Sequence, residues 1–537
     1  RSYSVTGVQT CALPIFSLSG AADVKNSTWV LTNISQDGLS LPEKDYYFAT
    51  DEITVNIREQ FKVFVEKMFV LKGNQEDVAK QKANVILKFE TQLAKVSMSV
   101  MDLRDPHATD HKMSIAGLEK MEPVFGWGKY FASIGLANVT ELNVQQPRFF
   151  EEIGKMLKTV PLNEWKIYIE WHLLNNLASY VGTDFENQSF EFYGKVLSGK
   201  TEMSPRWKRV VATTNASLAE PLGQLYVAAY FPPEAKNRMI DLVKNLKSAL
   251  AVRIEKLDWM SVETKQKALD KLQTMKYKIG YPDAWRDYTG LEIANDAYVL
   301  NVLRAGKFDF QHQLSKIDKN VDEGEWLMPP QMVNAYFAPD KNEIVFPAAI
   351  LQPPFFYLNA DDAVNYGAIG MVIGHEMTHG FDDQGRLYDK HGNLSDWWTE
   401  DDSRKFMERA KVLVEQFNRF VVVDTVHANG ELTLGENIAD LGGLNIAFTA
   451  YKIANPGFSE KIDGFTPEQR FFLAYAHLWA QNTRDQEKLR RTREDVHSIG
   501  QFRVNGPLPN ISEFHDAFGI KEGDGMYLPL NERANIW

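Results

Sequence analysis

Two histidines and a glutamate lie close together in the segment His375-Glu376-Met377-Thr378-His379. Residues four apart share one face of a helix, so both imidazoles can bind one metal ion while Glu376 projects toward a bound water. The preceding run 368–374 is apolar, and burying these polar side chains beside it is costly without a partner such as a metal. The same pattern also arises by chance on exposed helices, so a third ligand must be found.

The position of a third ligand separates the classes of zinc hydrolase. An aminopeptidase-like spacing would place it at Trp398 and a thermolysin-like spacing at Thr399, and neither side chain can bind a metal. A metzincin-like motif would need glycine and histidine where the sequence has Asp382 and Gly385. These three arrangements are therefore excluded.

The remaining candidate is the segment GENIAD, residues 435–440. Glu436 and Asp440 are four residues apart and share one helix face, so one can bind the metal while the other hydrogen-bonds to a histidine ligand. A solvated helix face is the alternative interpretation of this pair.

The periodicity predicts a mainly α fold with a small β component. Between about 51 and 283 the apolar residues recur at helical spacing, as in Ile57, Phe61, Phe64, Val65 and Met68. Helices are predicted near 77–102, 233–256, 262–275, 363–380 and 436–450, and the run 343–346 is a candidate edge strand. The sequence predicts a non-native extension (1–15), an incomplete helical N-terminal region (16–283), a linker region between two lobes (284–333) and a catalytic domain (334–537).

Composition excludes several other classes of protein. The formal net charge of -12 opposes a nucleic-acid surface, which is normally basic. No apolar run is long enough to cross a membrane, and the opening residues do not form a signal peptide. Cys11 is the only cysteine and lies in the doubtful extension, so disulfides and thiolate ligands are not expected.

Longer motifs resemble the neprilysin family of zinc endopeptidases, which includes bacterial oligopeptidases. They are GAIGMVIGHEMTHGFDDQG, GENIAD, VNAYF, IVFPAAILQPPFF, DVHSIGQFRVNGPLPNISEF, LPEKDYYF, PRWKRVV and LDWMSVETKQKALDKL. The resemblance extends from Ser19 to Trp537. Val210 replaces a cysteine of animal members, which favours a bacterial branch, N-terminally truncated here.

The resemblance assigns a role to each candidate residue. It implies one zinc ion per chain, bound by His375, His379 and Glu436. The implied catalytic residues are Glu376 as general base, His497 as donor to the tetrahedral oxyanion and Asp440 as the carboxylate behind a ligand, with Asp382 orienting the other histidine. The implied substrate-binding residues are Asn334, Ala335 and Arg503 for the peptide backbone and Ile350, Phe355, Met371, Val372 and Trp479 for a hydrophobic pocket. From the residues alone, His497 would be an ordinary histidine, Arg503 a salt-bridge partner, and Phe355 and Trp479 core.

The resemblance implies a two-lobed zincin-type (gluzincin) metallopeptidase. The expected activity is hydrolysis of oligopeptides on the amino side of hydrophobic residues, by zinc-activated water with Glu376 as base. The expected location is extracytoplasmic in a bacterium, whether periplasmic, secreted or lipid-anchored, and a cytoplasmic location stays open. The alternatives are a non-catalytic binding protein with the same fold and a zinc hydrolase for a non-peptide bond.

Overall fold

The computed structural model describes residues 15–537, so Cys11 and all of the predicted extension except Ile15 lie outside the described residues. The strands are β1 (Phe16–Asp23), β2 (Asn26–Gln36), β3 (Lys112–Ser114), β4 (Glu141–Val144), β5 (Lys276–Gly280), β6 (Tyr336–Ala338), β7 (Glu343–Pro347), β8 (Val421–Val423) and β9 (Val426–His427). The α-helices are α1 (Glu52–Leu71), α2 (Glu76–Val96), α3 (Ile115–Met121), α4 (Trp127–Ser133), α5 (Pro147–Thr159), α6 (Leu162–Val181), α7 (Thr183–Ser189), α8 (Arg206–Ser217), α9 (Ala219–Tyr230), α10 (Pro233–Lys256), α11 (Val262–Thr274), α12 (Tyr298–Lys316), α13 (Asp362–Asn365), α14 (Met371–His379), α15 (Glu400–Asn418), α16 (Leu434–Ala454), α17 (Pro467–Leu478), α18 (Asp485–Glu494), α19 (Gly500–Asn505) and α20 (Ser512–Phe518). The mainly α fold is therefore confirmed.

The described chain forms two compact units. The first comprises the residues up to Leu218 with Asp287–Val321 and Arg484–Arg490, and the second comprises Ala219–Arg286, Asp322–Thr483 and Arg491–Trp537. Each unit has its own hydrophobic core. The two units interleave along the chain. The domain bounds expected from the sequence stay a prediction.

The first unit combines helices with a sheet that the helical pattern did not predict. The strand order is β1-β2-β4-β3, with β2 and β4 parallel and the outer pairs antiparallel. Helix α12 also belongs to this unit and lies within the segment 284–333, which looked aperiodic in the sequence.

The second unit contains a smaller sheet of order β5-β7-β6. The prediction of an edge strand at 343–346 is wrong, because β7 lies at the centre, parallel to β5 and antiparallel to β6. All residues of β7 are buried, which explains why its sequence is a continuous apolar run after Glu343 rather than an alternating one.

The helix predicted over 363–380 forms a continuous helical run, α13, a π-helical segment at Tyr366–Gly370, and α14. A side chain at Gly367 would place its Cβ 2.1 Å from the carbonyl oxygen of Phe471, so only glycine admits α17 this close. No helix among residues 15–537 is both long and apolar enough to cross a membrane.

Candidate metal and catalytic site

Helix α14 presents both histidines of the HEMTH motif to one point. The Nε2 atoms of His375 and His379 lie 3.0 Å apart, and the two rings are nearly perpendicular at 86°. His375 is 4% exposed, so the pair lies inside the second unit rather than on its surface. The helical spacing predicted this arrangement.

Glu436 reaches the same point from the first turn of α16. Its carboxylate oxygens lie 3.3 Å from Nε2 of His375 and 3.8 Å from Nε2 of His379. Glu436 and Asp440 are both buried, so the interpretation of this segment as a solvated helix face is wrong. Among the described residues, His375, His379 and Glu436 are the group able to hold a metal ion.

Glycines bring α14 and α16 into backbone contact beside the ligands. A Cβ on Gly443 would lie 2.7 Å from the backbone nitrogen of His375, and one on Gly374 would lie 2.7 Å from the carbonyl oxygen of Gly443. A Cβ on Gly442 would likewise lie 2.6 Å from the side chain of Thr378. Larger residues here would separate the helix that carries the histidines from the helix that carries Glu436.

A carboxylate behind each imidazole fixes its orientation. Nδ1 of His375 lies 2.8 Å from Oδ1 of Asp440, and Nδ1 of His379 lies 2.7 Å from Oδ2 of Asp382. An ionised carboxylate only accepts hydrogen bonds, so each Nδ1 carries a hydrogen and each Nε2 is the atom that faces the site, able to bind a metal once it is deprotonated. The structure thus brings Asp440 and Asp382 to the positions expected of them.

Arg503 lies behind Asp440 rather than in open solvent. It donates from Nε to Oδ2 at 2.8 Å and from Nη2 to Oδ1 at 2.6 Å. Its guanidinium carbon is 3.8 Å from the centre of the Trp479 ring, within cation–π range. Arg503 therefore supports the carboxylate that holds His375.

The charges of the site shift the pKa values of its groups in a consistent way. Burial alone would lower the pKa of His375, but Asp440 and Glu436 outweigh it and raise the pKa to about 9. Burial would raise the pKa of Glu436, but the positive charges of His497, His379 and His375 bring it well below its usual value. The pKa of Asp440 is also lowered, since Arg503 and His375 overcome the cost of burial. The site holds its carboxylates ionised and favours positive charge at its centre.

Glu376 is buried on α14 between the two histidines, 3% exposed. Its carboxylate makes no hydrogen bond or ion pair with another residue of the range 15–537. The oxygens of this carboxylate are therefore not committed to another side chain among the described residues.

His497 approaches the site from the loop before α19. Its Nε2 lies 3.2 Å from Oε1 of Glu436, and its Nδ1 lies 2.7 Å from Oδ1 of Asp495. Asp495 in turn accepts a hydrogen bond from Nε of Arg491 at 2.8 Å. Burial would raise the pKa of Asp495, but His497 and Arg491 hold it below its usual range. Sequence reasoning missed Asp495 and Arg491, although Asp495 stands two residues before His497 in the quoted DVHSIG motif.

The residues expected to bind substrate divide into two groups in the second unit. Ile350, Met371 and Val372 are buried in its hydrophobic core, and Phe355 and Trp479 are half-buried against that core. Asn334 is half-buried just before β6, and its side-chain oxygen accepts a hydrogen bond from the backbone of the buried Ala335 at 3.0 Å. The assignment of these residues to substrate stays a prediction.

The donor set fits zinc. Ligand atoms about 2.1 Å from a tetrahedral zinc ion are roughly 3.4 Å apart. Here the two Nε2 atoms are 3.0 Å apart, Oε2 of Glu436 is 3.3 Å from Nε2 of His375, and Oε1 of Glu436 is 3.8 Å from Nε2 of His379. Oε2 of Glu436 is buried without a hydrogen-bond partner among the described residues, as expected of an oxygen reserved for a metal. Two imidazoles and a carboxylate also leave a fourth position for water, the pattern of catalytic rather than structural zinc sites.

Comparison with known proteins agrees with this chemistry. The chain matches two models described as Peptidase family M13, over residues 3–282 and 334–534. It is 33% identical over 544 residues to Endothelin-converting enzyme 1 of Homo sapiens, covering 98% of this chain and 70% of that protein.

Two solved structures are similar over nearly the whole chain. The zinc metalloprotease ZMP1 of Mycobacterium tuberculosis, in complex with an inhibitor, has a TM-score of 0.95 and 38% identity over 99% of this chain and 82% of that one. PepO from Lactobacillus rhamnosis HN001 has a TM-score of 0.90 and 30% identity over 99% of this chain and 83% of that one. The chain therefore belongs to Peptidase family M13 and is a zinc metallopeptidase.

Proposed function

We propose that this protein is a zinc-dependent endopeptidase that hydrolyses oligopeptides, with His375, His379 and Glu436 as the zinc ligands. The observation that carries the proposal is the pair of Nε2 atoms 3.0 Å apart, each on a ring held by a carboxylate at the opposite nitrogen, with Glu436 oxygens 3.3 and 3.8 Å from them. Two imidazole nitrogens and a carboxylate that converge on one point are a donor set that binds zinc. A zinc ion, when bound, supplies a Lewis acid that lowers the pKa of water toward ~7 and polarises a carbonyl.

Glu376 is proposed as the general base. Its buried carboxylate follows His375 directly, stands three residues before His379, and is free of other side-chain partners in the range 15–537. It takes a proton from the attacking water and later delivers that proton to the amine that leaves. A base held at the site in this way contributes about 10²–10⁴-fold to the rate.

His497 is proposed to donate a hydrogen bond to the oxyanion of the tetrahedral intermediate. The Asp495 carboxylate accepts the Nδ1 hydrogen, and Nε2 is directed at the site, so it is the imidazolium form, with a second hydrogen on Nε2, that would donate to the oxyanion. Removal of such a donor costs about 3 kcal/mol in comparable enzymes. Arg491 keeps Asp495 ionised and thereby fixes the orientation of the imidazole.

The substrate is proposed to bind through its backbone to Asn334, Ala335 and Arg503 and through a hydrophobic side chain just after the cut. The residues proposed for that pocket are Ile350, Phe355, Met371, Val372 and Trp479. All five side chains are apolar and lie in or against one core, with Phe355 and Trp479 only half-buried, and each methylene of the substrate buried there contributes about 0.8 kcal/mol. Preference for Phe, Leu or Ile after the scissile bond follows.

A bacterial origin and an extracytoplasmic location are also part of the proposal. The bacterial branch is supported by Val210, where animal members have a cysteine, and by 38% identity to the mycobacterial protein against 33% to the human one.

The test is metal content together with peptide cleavage. Purified protein should contain about one zinc ion per chain, lose cleavage of short hydrophobic peptides on dialysis against a chelator, and regain it on addition of zinc. Full activity of protein shown by elemental analysis to contain no metal would overturn the proposal.

A further inference from the structure

Lys271 on α11 is a buried charge outside the predicted site. It is 1% exposed, and lysine is almost never fully buried unless its ammonium is paired. Here Nζ donates to three backbone carbonyl oxygens, those of Gly380 at 2.8 Å, Gly385 at 2.8 Å and Tyr388 at 2.6 Å. All three N–H groups of the ammonium therefore donate to carbonyl oxygens of one loop.

That loop, residues 380–388, follows directly after the second histidine of α14 and carries Asp382. Oδ2 of Asp382 lies 2.7 Å from Nδ1 of His379. Its Oδ1 accepts the backbone N–H groups of Gln384 at 2.9 Å and Gly385 at 2.6 Å. Gly385 therefore connects the two groups, because its N–H binds Asp382 while its carbonyl binds Lys271.

The loop also folds back against the end of α14. A Cβ on Gly385 would lie 1.7 Å from the carbonyl oxygen of His379, so the loop backbone touches the backbone of a ligand. A shift of the loop at this point moves both Asp382 and the turn that ends α14.

The surroundings of the ammonium exclude water and make its burial costly. The rings of Phe337, Phe381 and Trp397 have their centres 5.9, 5.6 and 5.7 Å from Nζ. Burial lowers the pKa of Lys271 to about 7, opposed by the charges of Asp382 and Asp389. A methionine or leucine would fill the same space without this cost, so the hydrogen bonds to the loop are the specific contribution of lysine.

We propose that Lys271 is a positioning residue for the metal ligand His379, which it controls by fixing the loop 380–388 and hence Asp382. The inference rests on the proposed zinc site and extends it to a residue on another helix. Groups behind a histidine ligand change metal affinity by about 10–100-fold when removed. Lys271 makes no hydrogen bond to His379 itself and acts on it through the loop that carries Asp382.

The test compares Lys271→Met with Lys265→Met by measuring zinc dissociation constants in a competition with a chromophoric chelator. Lys265 is on the same helix and bonds one carbonyl, that of Glu255 at 3.0 Å, away from the loop. We expect Lys271→Met to weaken zinc binding about tenfold and to change the absorption spectrum of the cobalt-substituted protein, with Lys265→Met unchanged in both. Equal zinc affinity and equal spectra for Lys271→Met and wild type would overturn the inference, whereas failure of the wild type to bind zinc would overturn the proposed site itself.

A double-mutant cycle tests the route through Asp382. If Lys271 acts through that carboxylate, adding Lys271→Met to Asp382→Ala weakens zinc binding by less than about twofold more. Fully additive losses would contradict the route. Lys271→Gln, which retains a donor, should lie between wild type and Lys271→Met. Failure of both Lys271 variants to fold, with Lys265→Met folded, would show a general structural role and would also overturn the inference.

Discussion

The guanidinium of Arg503 makes two hydrogen bonds to Asp440, the carboxylate that holds Nδ1 of His375. Arg503 is only 7% exposed, and its other face covers Trp479. Arg503 therefore stabilises the metal site through Asp440, whether or not it also binds substrate.

Arg503→Met should therefore lower zinc affinity as well as peptide turnover. It leaves Asp440 as a buried carboxylate without its strongest partner, which favours protonation and weakens the hold on His375. Arg503→Lys keeps the charge but not the bidentate contact, so its zinc affinity and turnover should lie between those of the wild type and those of Arg503→Met. Zinc titration and steady-state kinetics separate the roles: a raised KM with unchanged zinc affinity would show that Arg503 acts on substrate alone.

The close contact of α14 and α16 predicts that Gly443→Ala disrupts the site. The added Cβ would lie 2.7 Å from the nitrogen of His375, so the helices must separate. Overpacking of this kind costs about 1–3 kcal/mol in unfolding free energy, and we expect zinc affinity to fall with it. Gly525→Ala is the control, because nothing lies within 4 Å of a Cβ there. Equal melting temperatures and zinc affinities for the two variants would refute the close-contact argument.

Helix periodicity accounts for what could be predicted of the site. His375 and His379, like Glu436 and Asp440, are each paired by the geometry of one helix, so the sequence places them on one face. Lys271 could not be predicted in this way, since its contact with Gly380 joins residues 109 positions apart. The position of β7 in its sheet could not be predicted for the same reason. Its apolar run indicated a strand, but its central place depends on pairing with β5, which precedes it by a long segment.

The fold of the first unit shows a second limit. β1 has the sequence FSLSGAAD, whose only large apolar residues are Phe16 and Leu18, a weak signal for a strand. Its register is set instead by the antiparallel pairing with β2. Longer-range pairing thus decides these elements, while the helix α10 was predicted with its observed bounds.

Asp402 should give the second unit a stability that depends on pH. It is fully buried at the N-terminus of α15 and accepts hydrogen bonds from the hydroxyls of Thr264 at 2.6 Å and Thr399 at 2.7 Å and from the backbone of Ser261 at 2.9 Å. Burial would raise its pKa, but hydrogen bonds from the hydroxyls of Ser261, Thr264 and Thr399 and from the Ser261 backbone bring it below the usual 3.8. A lowered pKa contributes stability above pH 3.8 that is lost as the pH falls through the folded-state pKa.

Asp402→Ala should therefore lower the free energy of unfolding by roughly 2 kcal/mol at pH 7. The difference from wild type should stay constant down to about pH 5 and shrink below pH 3.8. Urea unfolding at several pH values checks this, with the exposed neighbour Asp401→Ala as control. A difference that grows on acidification would contradict the assignment.

Trp479→Ala should weaken the preference for a large apolar residue after the cut. The ring is half-buried against the core of the second unit and lies under Arg503. Its loss should reduce the ratio of kcat/KM for peptides with Phe rather than Gly after the scissile bond by about 10-fold or more. Trp479→Phe, which keeps a ring in place, should preserve most of the ratio. An unchanged ratio in Trp479→Ala would remove this residue from the pocket.

The most direct test of the central claim is Glu376→Gln. The change replaces a carboxylate with an amide of the same shape and leaves the ligands His375, His379 and Glu436 in place. We predict that the variant binds zinc with the affinity of the wild type and loses at least about 10²-fold in kcat, because the base is removed from an intact site. Wild-type turnover by the zinc-loaded variant would contradict the assignment of Glu376 as the base and with it the proposed mechanism.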